Sequence, residues 1–492
     1  MKYSQIKERE VILEKGREIL GSHFKFFKKK VEELNIVPKT PAWDLICFKI
    51  YRILYFQKNK GKKSITRQQL EKWLNFWSEY STEKEYNDLK YVIFSSYKQF
   101  LQDEETANKL LSILEYKKNK ILLENWSLFL RFFFTLRSRI KPSLTKAEFS
   151  LLQAMIKYQI TSTKELSKIL NKDAGNITRT KKLLFDKGII YEGISLNLKK
   201  TNFVLLLVIV YGFDELSSIH KKENFPKMFL RKSMTLNTSC KALLLYYSFP
   251  VPLLKEICRR ISEFFDLSIK KKEITKYEIL VLHREEQITT FDYSKYDYKN
   301  KNWNYSISEI AIALHNKSKT KNELKPRFED TKESELKLTK PGLKILEYII
   351  KNRDLTVSRI EKETNISQST IRKYLKHFTN EQLYIKRVNI IPIFGTNDVM
   401  IIFKKKVDQK EIHDRLSLFP EVYSEPFTNL ITDEKGLIVT VRIPNELVIN
   451  FIDLFSSIFE EEEPYFFITS FMYTKRVNLP TSRYDTTLQK WY

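Results

Sequence analysis

Slid against itself at an offset of 194 residues, the chain matches without a gap: residues 144–191 lie on 338–385, with ten of the 48 positions identical. The identities open with Leu144-Thr145-Lys146 against Leu338-Thr339-Lys340 and continue through Leu152, Ile156, Lys157, Lys168, Asn171, Ile177 and Lys182. The apolar phase repeats as well, pairing Leu151 with Ile345, Leu166 with Ile360 and Leu184 with Phe378. An internal repeat narrows the available folds sharply, because both copies must bury the same faces.

Each copy reads as three short helices and a ribbon. In the second, Thr339 is placed to cap a helix with Pro341 in its first turn and an apolar stripe of Leu343, Leu346, Ile349 and Ile350. Thr356 then caps a helix ending near Thr364, Asn365-Ile366 turns the chain, and Ser367 caps a third helix running to about Asn380. Two helices joined by a tight turn make a helix-turn-helix. The β-branched stretch 383–392, matched by 189–198 in the first copy, predicts the ribbon that follows a recognition helix in winged variants.

After each copy the pattern changes to a βα alternation. In the second, strands are expected at 399–405, 422–427, 437–443 and 466–475, with helices at 409–418 and 445–459, the ferredoxin-like order βαββαβ. The first is less regular, with strands at 203–211, 240–249 and 277–284, a helix at 252–265 and a short one around 214–222. Residues 291–335 are polar and Tyr-rich, and are expected to be a linker around one apolar run at 307–314 that suits a small helix. Everything before residue 140 has helical spacing, as in Leu70, Trp73, Leu74 and Trp77, and carries no chemical motif. The expected fold is therefore α+β and multidomain. It comprises an all-α region at 1–140, a winged helix-turn-helix at 141–201, a ferredoxin-like domain at 202–290, the linker, a second winged helix-turn-helix at 336–392 and a second ferredoxin-like domain at 393–492.

The chain's 86 Lys and Arg against 60 Asp and Glu leave a formal charge of +26 over 492 residues, which points towards a polyanion. At 42% hydrophobic and 13% aromatic the chain can build real cores, so disorder throughout is excluded. Its three cysteines, Cys47, Cys240 and Cys258, have no CxxC spacing and frame neither a disulfide scaffold nor a structural zinc site. The first 20 residues carry charges throughout, and the longest apolar stretches, 203–211 and an interrupted 122–140, fall short of the roughly 20 residues of a membrane helix. A cytoplasmic protein that neither crosses nor anchors in a membrane is expected.

Catalytic signatures are missing too. The ten glycines form no GxGxxG, GxSxG or phosphate loop, since Phe56 stands where Gly61-Lys62-Lys63-Ser64 would need the loop's first glycine. His23, His220, His283, His315, His377 and His413 are scattered, and the acidic run 460–463 follows a helix and reads as solvent-facing. No catalytic residue, metal or cofactor is assigned, and the chain is read as a non-enzyme.

Charge is concentrated where the repeats are. Residues 144–201 hold 11 basic and 5 acidic side chains and residues 336–392 hold 12 and 5, whereas 393–492 hold 11 and 15. Concentrated Lys and Arg hold a phosphate backbone, and side chains near the start of a recognition helix reach base edges in the major groove. In the second copy the candidates are Gln368, Ser369, Thr370, Arg372, Lys373 and Lys376, with Lys386 and Arg387 on the wing. Gln suits adenine and Arg suits guanine, while Ser and Thr hydroxyls suit phosphate or either base. The first copy offers Asn176, Thr178, Arg179, Lys181 and Lys182, but Asp173 and Gly175 at its helix start are less suited to phosphate, so the second copy is expected to be the stronger reader of double-stranded DNA.

Residues 338–392, with their IS-x-STIRKYL helix and following ribbon, resemble the DNA-binding domain of the Lrp/AsnC family of prokaryotic transcription regulators. That resemblance implies a ferredoxin-like ligand-sensing domain after each winged helix and an effector of the amino-acid class. It also implies pairing between domains, as an internal pseudo-dimer of the two copies or as a homodimer. The family has nothing like the first 140 residues, and Lys340-Pro341 replace an acidic residue usual near the start of its first helix. Two alternatives stay open: sirohaem decarboxylases look like paired Lrp/AsnC units, and a winged three-helix unit also serves as a protein-interaction scaffold without DNA readout.

Overall fold

The computed structural model describes residues 3–21, 24–33, 37–59, 66–82, 90–101, 103–115, 120–212, 224–226, 230–236, 242–315, 338–352, 355–390, 394–474, 484–488 and 490–491. Met1–Pro142 and Ser143–Tyr492 form two compact units. Among the described residues no helix is long and apolar enough to cross a membrane.

Every described element of the first unit is helical: α1 (Tyr3–Leu20), α2 (Phe24–Glu33), α3 (Pro41–Asn59), α4 (Arg67–Tyr80), α5 (Lys90–Phe100), α6 (Glu104–Leu111), α7 (Lys120–Glu124) and α8 (Trp126–Arg137), with a 3-10 turn at Ser112–Glu115. The stripe on α4 buries Leu70, Trp73 and Trp77, and Phe27 meets Trp43 and Trp73 edge-on at 5.6 Å. A single buried carboxylate ties three helices, because Asp44 of α3 accepts from Trp77 Nε1 of α4 at 2.8 Å and from the Tyr97 hydroxyl of α5. Low surrounding polarity strengthens such bonds.

In the second unit the first copy forms α9 (Lys146–Tyr158), α10 (Thr163–Leu170), α11 (Ala174–Asp186) and β1 (Ile190–Leu196). After β1 come α12 (Leu198–Thr201), β2 (Phe203–Tyr211), β3 (Leu230–Leu236), β4 (Ala242–Pro250), α13 (Leu254–Lys270) and β5 (Lys276–Leu282). The segment between the copies supplies β6 (Ile288–Phe291), β7 (Tyr296–Asp297), β8 (Asn302–Trp303) and α14 (Ile307–His315). The second copy forms α15 (Lys340–Asn352), α16 (Val357–Thr364), α17 (Gln368–Asn380) and β9 (Tyr384–Ile390), with every boundary 194 residues beyond its counterpart. It continues with β10 (Thr396–Phe403), α18 (Gln409–Leu416), β11 (Glu421–Asn429), β12 (Lys435–Pro444), α19 (Val448–Ile458) and β13 (Tyr465–Thr474), then a small hairpin of β14 (Tyr484–Asp485) and β15 (Lys490–Trp491). The same offset outlasts the sequence match: β4 and β12 both end in proline, and α13 and α19 begin 194 residues apart.

The two βα regions do not stand as separate domains. Their strands form one antiparallel sheet, ordered β12-β10-β13-β3-β4-β2-β5-β11-β6, which curls until β11 also pairs with β12. Each group of four runs second, third, first, fourth, and the groups join at β3–β13 and β5–β11. The reason is physical. In the second group, helices cover one face only, where Ile412, Leu416, Phe451 and Phe455 pack on Val439 and Val441. Met400, Ile402, Phe427, Ile438 and Phe467 point the other way and bury themselves against Leu205, Leu207, Ile209, Leu244 and Leu280 of the first group. Joining both edges also leaves no unpaired edge strand at either seam. The helix expected around 214–222 lies outside the described residues.

The linker reading is corrected for residues 291–315. Strand β6 pairs with β11, placing Phe291 opposite Glu421. Tyr293, Tyr296 and Trp303 are buried, with Trp303 Nε1 donating to the Phe394 carbonyl at 2.7 Å. Ile310 and Leu314 of α14 join the core under α18 and α19. Polar composition misled here because Tyr and Trp carry a large apolar body behind a polar tip. The remainder, 316–337, lies outside the described residues.

The ribbons are also arranged otherwise than expected. β1 and β9 do not each fold into a wing of their own copy but pair with one another, antiparallel, from Ile190 opposite Ile390 to Leu196 opposite Tyr384. Helix α9 packs on β9 and α15 on β1, so each three-helix unit leans on the other copy's strand.

Candidate nucleic-acid interface

The second helix-turn-helix buries Leu343, Leu346 and Ile349 of the stripe read from its sequence, with Ile350 half-buried beside them, and Ile345, Ile360, Ile371 and Phe378 complete a core continuous with the sheet interior. Asn365 makes the turn in the left-handed region at φ 56°, which Asn tolerates better than most residues. Gly342 lets the Tyr374 ring close over the start of α15, where a Cβ would lie 2.8 Å from Tyr374 Cε1, and the Tyr374 hydroxyl bonds Thr339. Thr356 and Ser367 occupy the cap positions without making the side-chain cap bonds expected of them, and Ser367 Oγ donates instead to Thr370 Oγ1 at 2.9 Å.

This packing turns Ser369, Arg372, Lys373 and Lys376 of α17 to solvent and leaves Gln368 and Thr370 half-buried. Arg372 Nη2 donates to Gln368 Oε1 at 3.1 Å, and Gln368 Nε2 donates to Glu361 Oε2 at 2.7 Å. No ion pair among the described residues engages Lys373 or Lys376. Lys386 and Arg387 sit on β9 opposite Ile194 and Gly193. Their side chains are outside what the structure describes.

The first helix-turn-helix is anchored differently. Thr145 and Glu148 form a capping box at the start of α9, and Glu148, buried at 3% exposure, pairs with Lys187 Nζ at 2.6 Å. Burial pushes the Glu148 carboxyl up, but the Lys187 ammonium and the Thr145 N–H outweigh it and hold it below its ordinary value. In the second copy the corresponding residues are Gly342 and Glu381, so the tyrosine contact stands in for the ion pair.

On α11, Asn176, Thr178, Arg179 and Lys182 are exposed, but several groups already have partners. Thr178 Oγ1 donates to the Ala174 carbonyl at 2.9 Å, Lys181 Nζ donates to the Thr161 carbonyl at 2.7 Å, and Asp173 accepts from the Asn176 N–H at 3.0 Å. Leu183 stands 45% exposed where the second copy has His377. At the positions where the second copy has Ser367 and His377, the first copy thus has an acidic cap and an exposed leucine.

The histidines and cysteines supply no assembled active site among the described residues. His413 is fully buried between Ser424 Oγ at 2.9 Å and Thr290 Oγ1 at 2.7 Å, and burial lowers its pKa to about 4. His283, Glu285 and Glu286 bring a ring nitrogen and two carboxylates within 4.8 Å of one another, a donor set of metal-binding type with both carboxylates exposed that the sequence reading passed over. Burial raises the thiols of Cys47 and Cys258, the latter to about 11, so neither is a ready nucleophile.

Residues 340–389 match the M protein trans-acting positive regulator (MGA) HTH domain. The match spans α15, α16, α17 and nearly all of β9. The chain thus carries a helix-turn-helix of the winged, DNA-binding regulator class, with the ribbon strand β9 paired to β1 of the other copy, and what the Lrp/AsnC resemblance holds in common with this match is that class. No curated protein matches the chain. Two structures of the siroheme decarboxylase NirDL, one in co-complex with an iron-uroporphyrin III analogue, are 13% and 14% identical, cover 68% of this chain and 93% of theirs, and superpose with a TM-score of 0.36. That score is too low to bear on function.

Proposed function

We propose that this chain is a sequence-selective, duplex-DNA-binding transcription regulator without catalytic activity of its own. The observation that carries the reading is α17: it lies within the matched regulator segment and exposes Arg372, Lys373 and Lys376 along one short helix. Phosphates are met by lysines such as Lys373 and Lys376, and bases by side chains nearer the helix start, Arg372 among them. In this reading Ser369, Thr370, Arg372, Lys373, Lys376, Lys386 and Arg387 are the principal contacts, with Gln368 beside Arg372 at the helix start, and Asn176, Thr178, Arg179, Lys181 and Lys182 form a weaker second set. The two winged helices and their joined βα halves act as an internal pseudo-dimer, with an amino-acid-class effector in the βα halves implied by family resemblance alone.

Dimeric readers of this type place recognition helices in successive major grooves about 34 to 36 Å apart. Because α11 and α17 differ, the two half-sites should differ too. Footprinting of the full chain on duplexes selected from a random pool tests this. The expected footprint is an asymmetric site of two unlike halves, and a perfectly palindromic preferred site would overturn the pseudo-dimer.

A further inference from the structure

Gln368 opens α17, where its amide would ordinarily be a candidate to read adenine. Here both ends of that amide are already committed, Nε2 to Glu361 Oε2 and Oε1 to Arg372 Nη2. The partners leave no doubt about which end is which: a carboxylate only accepts and a guanidinium only donates. An amide turned the other way would set acceptor against acceptor and donor against donor. Reading adenine requires the same amide's N–H and C=O together, one to N7 and one to N6, and although a second N–H and a second lone pair remain, the bonds to Glu361 and Arg372 fix the amide's orientation and keep it from turning both ends to a base. Arg372 is in the opposite situation. It gives one of its five N–H donors to Gln368, stays exposed, and keeps donors for O6 and N7 of a guanine.

We propose that Glu361 is a positioning residue for base choice: acting through Gln368, it aims Arg372 at guanine and withholds Gln368 from adenine. The proposal rests on the reading of α17 as a DNA-recognition helix. The first copy cannot build the same chain of bonds, because Ser167, Ala174 and Thr178 stand at the corresponding positions. The guanine set by this device therefore belongs to the α17 half-site alone.

The test compares wild type, Glu361→Ala and Glu361→Gln on matched duplexes that differ only by guanine or adenine at the position selected by the wild type. Both substitutions remove the same negative charge, so any general gain in phosphate attraction is common to them. Only Gln keeps a side-chain oxygen able to accept from Gln368. Wild type and Glu361→Gln should prefer guanine by roughly 5-fold or more, and Glu361→Ala should lose at least that much discrimination as adenine binding improves. Unchanged base preference in a DNA-binding Glu361→Ala variant would overturn the proposal alone, as would an identical shift in Glu361→Gln. Failure of the wild type to bind any duplex would overturn the reading of α17 itself, and this proposal with it.

Discussion

Replacing Arg372 and Lys373 together by Ala removes two of the three Lys and Arg side chains on α17, all three of which are exposed. Each phosphate contact contributes about 0.9 to the slope of log affinity against log salt, so with Arg372 on a base and Lys373 on phosphate the double change should flatten that slope by about 0.9. At about 0.1 M salt the Lys373 contact corresponds to a loss of roughly 8-fold in affinity, and loss of the Arg372 contact to guanine adds roughly 5-fold or more on the selected duplex. The matched change on the first copy, Arg179→Ala with Lys182→Ala, removes equal charge from α11. There the Asp173 carboxylate already opposes phosphate at the helix start, and the smaller effect is expected. Anisotropy of a labelled duplex, titrated with each variant at several salt concentrations, measures both affinity and slope. Equal or reversed losses for the two pairs, or an unchanged slope for the α17 pair, would refute the ranking of the two helices and the argument behind it.

Three further outcomes are expected. Because the Glu148 carboxyl lies below its ordinary value of 4.5 in the folded chain, the stability it contributes is present above that value and is lost as pH falls through the lower folded one; Glu148→Gln should flatten the acid limb of a stability–pH curve, and an unaltered limb would contradict the Lys187 pairing. Gly342→Ala places a Cβ 2.8 Å from the Tyr374 ring and should destabilise the second winged helix by about 1 to 3 kcal/mol in thermal melts, whereas stabilisation would show that the ring moves aside freely. Titration with a sirohaem-type tetrapyrrole, followed by absorbance, should show neither tight binding nor decarboxylation; both together would favour an enzyme over a regulator.

The three-helix units were legible because their information is local. Apolar spacing and the Asn365 turn set the boundaries of α15 to α17, and the nine-residue apolar run of β2 marked it as a strand. What escaped is non-local. The pairing of β1 with β9 and the seams β3–β13 and β5–β11 join residues far apart in the chain, and β3, with Arg231 and Lys232 at its start, lacks the apolar run that betrays β2. Aromatic residues from Tyr293 to Tyr305 looked like linker because their hydroxyls and ring nitrogens count as polar, although the rings pack in the core. At the site, exposure of Arg372, Lys373 and Lys376 follows from helical spacing, but the orientation of Gln368 depends on Glu361 across the turn. Spacing alone does not bring those two residues together.

The most direct measurement is equilibrium binding of the full chain to duplex DNA as a function of salt. Binding is expected at low ionic strength and weakens linearly in log affinity against log salt, with a selected duplex bound more tightly than a scrambled one of equal length. Absence of any salt-sensitive binding to any duplex at low ionic strength would contradict the DNA-binding reading.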